Sequence, residues 1–240
     1  FRSPPAAPTP PVVTWEEKLG WMMRLEDQRI LRDPNPPPPV ILVPATQKQP
    51  AIVAPPPPSD LIRLLGDGEA RVRRRAALAL GHVRLVEAVE PLTKLLGDSD
   101  PDVRQMAAFA LGLIGYPGAR NALLSALSEA NPLVQGRAAE ALGLIGDMAD
   151  APAVSGMVRT HVAAGALAAV TPDDLTYPLS PPAEAIRLGL YALVRLRSYD
   201  ALAAAALDGD GRPVSQWWPV AYALQDRKST RLNSSHVSES

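Results

Sequence analysis

Apolar residues recur at helical spacing along most of the chain, and the same pattern returns after every 31 positions. Within a unit they fall at positions i, i+4, i+8 and i+11, which is the stripe of an amphipathic helix. The step links Val72, Val103 and Val134; Ala76, Ala107 and Ala138; Leu80, Leu111 and Leu142; Gly81, Gly112 and Gly143; Leu61, Leu92 and Leu123. A repeat without gaps predicts stacked units, each made of a shorter helix, a turn and a longer helix.

The turns between the two helices of a unit carry helix-start signals. Asp100-Pro101 and Asn131-Pro132 each place a capping side chain before a proline at the first helical position. The first unit has Gly68, Glu69 and Ala70 at this place and lacks the proline, so its helix start is less sharply specified.

The period is interrupted after Gly146. Leu193 follows Leu142 by 51 positions, which is one period plus 20 positions, and the step from Leu193 to Leu224 is again one period. The extra residues are predicted to form a loop at about 163–182, inserted between the two helices of one unit. A fifth long helix is expected near Trp217, with Pro219 either kinking it or marking its true beginning.

A separate amphipathic helix is predicted over residues 14–32, after a proline-rich tether at residues 1–13. Thr14 opens the helix, Glu16 and Glu17 lie in its first turn, and it is expected to run to about Leu31. Its apolar stripe needs a surface to pack against. Either it covers the open end of the array, which we favour, or it is a docking motif.

Residues 33–58 read as a linker that leads to the array at residues 59–226. Proline runs at 36–39 and 55–58 are predicted polyproline spacers, or alternatively ligands for a proline-binding domain. Residues 227–240 carry no apolar stripe and resemble a translated sequencing adapter, so a non-native tail is predicted there. The chain begins at Phe1, which suggests a fragment or a processed form.

The overall composition suits close-packed helices, because 47% of the residues are hydrophobic and only 5% are aromatic. The net charge of -1 gives no electrostatic case for a nucleic-acid partner. No apolar run is long enough to span a membrane. There is no cysteine, which excludes thiol chemistry. The compartment stays open between export to the bacterial envelope and the cytoplasm.

The units resemble HEAT repeats of the short bacterial type, also called PBS-lyase-like repeats. The match is carried by Asp98-x-Asp-Pro-x-Val-Arg104, by Ala107-Ala-x-Ala-Leu-Gly112, and by their counterparts 31 positions away. It covers roughly 59–157 and, more loosely, 183–225. The resemblance implies an all-α, right-handed solenoid of helical hairpins with an N-terminal capping helix. For function it implies little, since the family ranges from scaffolding to chromophore attachment.

The resemblance also implies a ladder of Asp and Arg side chains between adjacent units. Asp67 with Arg73, and Asp98 with Arg104, show matching six-residue spacings. The third unit has Glu129 and Gln135 instead, so the ladder is expected to weaken there.

No catalytic or metal-binding pattern is recognisable. His82 and His161 have no second ligand three or four residues away, and His236 lies in the suspect tail. Asp173-Asp174 in the insertion is most simply a solvated helix cap. We therefore predict no catalytic residue, no metal and no cofactor.

The outward strip of the long helices, which lines the concave surface of HEAT arrays, is the predicted partner-binding surface. Its residues are Arg71, Arg74, Leu78, Gln105, Phe109 and Glu140, together with Gly136. Leu78 and Phe109 are apolar at positions expected to be exposed, which favours a partner surface. Alternatively, the N-terminal helix or the insertion covers them. The basic cluster around Arg73 does not continue along the array, which argues against nucleic acid.

A non-catalytic protein-binding scaffold is the predicted function. The chain is also similar to N-terminal HEAT regions of bacterial proteins that end in a cyclophilin-type prolyl isomerase, so a part of a larger enzyme is one alternative. A bilin lyase-like protein is another. Trp217-Trp218 could be a recognition pair, although packing against a following helix is favoured.

Overall fold

The computed structural model describes residues 12–35, 40–43, 51–54, 59–176 and 178–225. Helices make up most of this part of the chain, and residues 218–225 at its end are helical as well. The helices are α1 (Trp15–Gln28), α2 (Leu61–Leu64), α3 (Ala70–Val83), α4 (Val89–Leu95), α5 (Pro101–Ile114), α6 (Arg120–Ala126), α7 (Pro132–Ile145), α8 (Ala151–Ala163), α9 (Pro181–Arg195) and α10 (Tyr199–Ala206).

The long helices stack on one another in chain order. Helix α3 packs on α5, α5 on α7 and α7 on α9, while α4, α6 and α8 pack against the long helix of their own unit. The repeated leucine of each long helix is fully buried, namely Leu80, Leu111, Leu142 and Leu193. The predicted all-α solenoid is confirmed.

The helix starts follow the sequence signals. The Asp100 carboxylate accepts hydrogen bonds from the backbone N–H groups of Asp102 and Val103, and the Asn131 side chain accepts one from Leu133. Glu69 caps nothing with its side chain, yet α3 still begins at Ala70. Packing of the buried stripe therefore holds the first long helix in place where the cap is missing.

Repeated glycines set how closely the long helices approach. A Cβ atom on Gly81 would lie 2.9 Å from Cα of Ala110, and one on Gly112 would lie 2.7 Å from Cα of Ala141. Gly143 stands in the same relation to Ala192, at 2.7 Å, although Ala192 comes after the insertion. The stack therefore continues unchanged across the interruption in the sequence.

Helix α1 packs against α3. Thr14 and Glu17 form a capping box at its start, and Met22 and Leu25 are fully buried. The helix ends at Gln28 rather than near Leu31, because Arg29 adopts a left-handed conformation with φ 54°. Its role as a cap for the array stays a prediction.

Charged contacts join α1 to the first unit. Lys18 Nζ lies 2.7 Å from Oδ2 of Asp67, and the Glu26 carboxylate binds Arg75 and His82. Burial opposes ionisation of Glu26, but hydrogen bonds from His82 and Arg75 outweigh it and hold its pKa below the ordinary value. The carboxylate is thus kept charged against α3.

The predicted linker contains a small antiparallel sheet that its sequence did not indicate. Strand β1 (Val40–Val43) pairs with strand β2 (Ile52–Ala54). The proline runs at 36–39 and 55–58, most of the predicted tether and the tail at 227–240 lie outside the described residues.

The insertion runs from the end of α8 to the start of α9 and folds back onto the tryptophan pair. The backbone N–H of Trp218 donates to the carbonyl of Pro172 at 2.9 Å, and Nε1 of Trp217 donates to the carbonyl of Asp174 at 3.4 Å. Trp217 is therefore buried without a following helix, whereas Trp218 uses only its backbone here and the expectation for its side chain stays a prediction. Asp174 is no helix cap, because its carboxylate accepts the N–H of Thr176 within the loop.

Candidate interaction groove

Two rows of repeat-equivalent positions follow the inner face of the long helices. The first row is Arg74, Gln105, Gly136, Arg187 and Trp218, and the second row is Leu78, Phe109, Glu140, Tyr191 and Tyr222. Within each row every step equals one period of the repeat except the third, which the insertion lengthens. The stacking of the helices brings each row onto one side of the molecule.

A cavity of about 320 Å³ opens over the first part of these rows. Three predicted partner-binding residues line it, namely Arg74, Gln105 and Phe109. Pro178 and Leu179 of the insertion form part of its wall. The insertion thus borders the predicted surface and shapes it into a cleft without covering it, while the role of this surface in partner binding stays a prediction.

A second cavity of about 280 Å³ adjoins the first. Leu175, Arg187, Trp217 and Trp218 line it, and Leu179 and Glu184 line both cavities. We call the combined cleft the groove. It runs from Arg74 on α3 to Trp218.

Phe109 and Glu140 are less open than their sequence positions suggested. The guanidinium of Arg137 lies 5.1 Å from the centre of the Phe109 ring, and its Nη1 donates to Glu140 at 2.7 Å. Phe109, Glu140 and Leu78 are all half-buried. The expectation that Gly136 faces outward is wrong, because it is buried against Ala185 of α9.

The arginines along the groove have carboxylate partners. Arg187 binds Glu184 through two hydrogen bonds of 2.7 and 2.5 Å, and Arg74 lies 3.6 Å from Asp102. The hydrogen bonds that Arg187 donates to Glu184 raise the pKa of Arg187 above its ordinary value. The groove therefore combines aromatic and apolar surface with nearly balanced charge.

Arg71 lies at the α1 end rather than in the groove. Its Nε donates to Glu69 at 2.6 Å, and its guanidinium lies 4.7 Å from the Trp15 ring. Together with the burial of Arg73 and Arg75 against other elements, this divides the basic cluster of the sequence among separate contacts.

Arg73 and Arg104 make the ladder between units. Arg73 binds both carboxylate oxygens of Asp98 at 2.7 and 2.8 Å, and donates to the backbone carbonyl of Asp67 at 2.9 Å. Arg104 repeats the pattern with the Glu129 carboxylate at 2.7 Å and the carbonyl of Asp98 at 2.8 Å. Arg73 holds the pKa of Asp98 below its usual range. Each arginine thus spans two units, whereas the Asp67 carboxylate binds Lys18.

At the third unit the ladder continues without a charge pair. Gln135 Nε2 donates to the carbonyl of Glu129 at 2.5 Å, and its Oε1 lies 2.5 Å from Nε2 of His161. Burial lowers the pKa of His161, which favours the neutral ring donating to this oxygen.

Beside Gln135 a crevice of about 480 Å³ separates α6 from α8.

The described ranges contain no group of three or more His, Asp or Glu side chains placed to hold a metal ion. In the same ranges, no helix combines the length and the apolar character needed to cross a bilayer.

Sequence reasoning missed most of the second half of the groove, although it considered Trp218 as part of a recognition pair. Tyr191, Arg187, Trp218 and Tyr222 continue the two rows after the insertion, and the lengthened step followed by one regular step would have located them. The bordering residues Leu175 and Leu179 carry no such signal, because a loop has no repeat partner.

Comparisons with known proteins agree with this architecture. Residues 89–171 match the family model for HEAT repeats, and residues 72–98 match the PBS lyase HEAT-like repeat. The resemblance inferred from the sequence is confirmed. Among curated protein sequences, none matches the chain.

One similar solved structure is the complex of CpcE and CpcF of phycocyanin lyase from Nostoc sp. PCC7120. The identity is 26%, the TM-score is 0.54, and the match covers 76% of this chain and 70% of that one. A computationally designed armadillo repeat protein for modular peptide recognition is 20% identical with a TM-score of 0.38, over 69% of this chain and 80% of the other.

Proposed function

We propose that this chain of HEAT repeats is a non-catalytic scaffold that holds a protein partner in the groove. Arg74, Gln105 and Phe109 contact the partner at one end, and Arg187, Trp218 and Tyr222 contact it at the other. Glu140 acts indirectly, by fixing Arg137 over the Phe109 ring.

The observation that carries the proposal is apolar and aromatic surface left exposed along a cleft. Leu175 is 81% exposed, Tyr222 is 55% exposed and Trp218 is 39% exposed. Tyr, Trp and Arg are the residues most enriched where proteins bind partners strongly. An exposed Trp beside a bidentate Arg–Glu pair matches that composition.

The similar solved structure supports a protein partner. It is a complex of two proteins, CpcE and CpcF, and this chain resembles it over most of its length. A repeat array of this kind can therefore work as one part of an assembly.

A photoreactive amino acid placed at Gln105 tests the proposal. Gln105 lines the groove, whereas Val86 is 49% exposed in the turn before α4 and serves as the control position. We expect cross-links from position 105 to a partner identified by mass spectrometry, none to that partner from position 86, and loss of the cross-link in Phe109→Ala. Equal cross-linking from both positions, or no effect of Phe109→Ala on binding of the purified partner, contradicts it.

A second candidate function is that of a bilin lyase component. Two observations favour it, namely the PBS lyase repeat at residues 72–98 and the similarity to the phycocyanin lyase complex. Mixing the chain with a linear tetrapyrrole such as biliverdin should then shift and sharpen the pigment's absorbance, and Trp218→Ala should reduce the shift. An unchanged spectrum at a tenfold excess of protein counts against it. The comparisons give the prolyl isomerase alternative no support.

A further inference from the structure

We infer that the end of the groove around Tyr191, Trp218 and Tyr222 binds a polyproline helix, and that residues 4–11 of a second copy of this chain supply it. The inference rests on the proposed function, because it names the kind of segment that the groove takes. Binding of this kind would let copies of the chain associate head to tail.

Aromatic side chains cluster at this end of the groove, where proline rings can pack on them. The rings of Tyr191 and Tyr222 meet edge to face at 80°, with centroids 6.0 Å apart. Trp218, one helical turn before Tyr222, lines the second cavity of the groove together with Arg187, whose guanidinium lies 5.4 Å from the centre of the Tyr191 ring. Domains that recognise polyproline helices use grooves lined with aromatic residues in this way.

The charges of the groove favour an uncharged ligand. Arg187 is bound by Glu184, and Arg137 by Glu140, so neither cation is free to attract an acidic segment. A charged peptide would have to separate these pairs or leave its own charge poorly solvated. A proline-rich segment brings apolar rings and backbone carbonyls and avoids this cost.

The N-terminal segment has the required pattern. Pro5, Pro8 and Pro11 recur every third residue. Because a polyproline helix has three residues per turn and rises about 3.1 Å per residue, these prolines would lie on one edge, about 9 Å apart. Packed helices lie about 8–10 Å apart, so successive prolines match successive helices of the array. The other proline runs, at 36–39 and 55–58, are too short to present three such turns.

The segment cannot reach this end of the groove in its own molecule. It precedes α1, which packs on α3, whereas Tyr222 lies beyond α9. Five helix-to-helix steps separate the two places, or about 40–50 Å along the array at usual helix spacing. Residues 4–14, which are the segment and its connection to α1, span at most about 40 Å even when fully extended. The partner is therefore a second copy.

A peptide of residues 1–13 added to the full chain tests the inference, with binding followed by tryptophan fluorescence and calorimetry. We expect saturable binding. A peptide with Pro5, Pro8 and Pro11 changed to Ala should bind at least tenfold more weakly. Trp218→Ala and Tyr222→Ala should weaken binding of the native peptide to a similar degree, while Val86→Ala leaves it unchanged.

Sedimentation of the full chain tests the second copy. Self-association that grows with concentration, and that Pro5→Ala, Pro8→Ala and Pro11→Ala together abolish, supports the inference. A monomer at every concentration overturns the role of a second copy. Equal binding of the native and alanine peptides, or no binding of either, overturns the polyproline site, and the scaffold stands if the cross-links from Gln105 persist. The comparison of the two peptides uses the unchanged protein, so its outcome holds even if a groove variant misfolds.

Discussion

At the scale of single residues, Arg104 shows how one side chain holds two units in register. It donates both to the backbone of its own turn at Asp98 and to the carboxylate of Glu129 in the next unit. Its side chain is only 17% exposed, so water replaces these bonds poorly.

Arg104→Ala should therefore lower the free energy of unfolding by about 1.5–3 kcal/mol, the usual range for hydrogen bonds to charged groups. Urea denaturation followed by circular dichroism measures the change. Arg159→Ala, at an exposed position on α8, is the matched control and should change stability by less than about 0.5 kcal/mol. A midpoint equal to wild type for Arg104→Ala would show that the ladder contributes nothing.

His161 makes stability depend on pH in a range that the carboxylates do not share. Burial lowers its pKa from 6.5, so the unfolded chain takes up a proton before the folded chain does. Stability should therefore fall as the pH drops below about 6.5. The pKa of Asp98 is also lowered, but its contribution is lost only as the pH falls below 3.8.

Thermal melts between pH 7.5 and 5 test this dependence. The melting temperature of the wild type should fall across the range, and His161→Gln, which keeps a donor without the titration, should flatten the slope. The same slope in both proteins would exclude His161 as its origin.

At the residue scale, the sequence predicted the arginines of the ladder but not the carboxylates that pair with them. The six-residue spacing identified Arg73 and Arg104, yet the carboxylate partners lie 25 residues away, because the offset between stacked units decides which side chains meet. The neutral hydrogen bond that His161 donates to Gln135 has no repeat signal at all.

At the scale of helices, the glycines of the repeat fix the distance between neighbours. A methyl group on Gly112 would meet Cα of Ala141 at 2.7 Å, which is backbone and cannot swing away. Gly112→Ala should thus force α5 and α7 apart and destabilise the chain by about 1–3 kcal/mol.

Gly156→Ala is the control for the same change of residue. Gly156 lies inside α8, where an added methyl group would have nothing within 4 Å, so alanine there should stabilise by about 0.5–1 kcal/mol through helix propensity. Opposite signs for the two variants in chemical denaturation would support close packing at Gly112. Stabilisation by both would contradict it.

Helix boundaries were predictable where a local signal sets them. Asp100 and Asn131 fixed the starts of α5 and α7, whereas the end of α1 depends on a left-handed Arg29, which sequence does not favour. The sheet of β1 and β2 was missed because its strands are four and three residues long and flanked by proline.

At the scale of the whole molecule, the repeat predicted the stack, while the groove depends on what breaks the repeat. The insertion has no equivalent in other units, and its contacts with Trp217 and Trp218 follow only from the folded chain. The inner rows were predicted in their first half because Leu78 and Phe109 stood out there. Their second half follows from the same step of one period plus 20 positions, but no side chain after the insertion stood out as apolar at an exposed position on that strip.

A stack of this kind should unfold unit by unit, because each long helix of the described ranges packs chiefly on its neighbours in the stack. Leu25→Ala removes a fully buried side chain between α1 and α3 and should destabilise that interface by about 2–5 kcal/mol. Hydrogen exchange should then accelerate in α1 and α3 and stay unchanged in α7 and α9, whose close contact at Gly136 and Gly143 is untouched.

Met23→Ala provides the comparison, since Met23 lies on the same helix but is 57% exposed. It should leave exchange unchanged throughout the chain. If Leu25→Ala accelerates exchange equally in α3 and α9, the array behaves as one cooperative block, and α1 stabilises all of it. If the effect stops after α5, each interface contributes locally, and the groove end at Trp218 keeps its shape without α1.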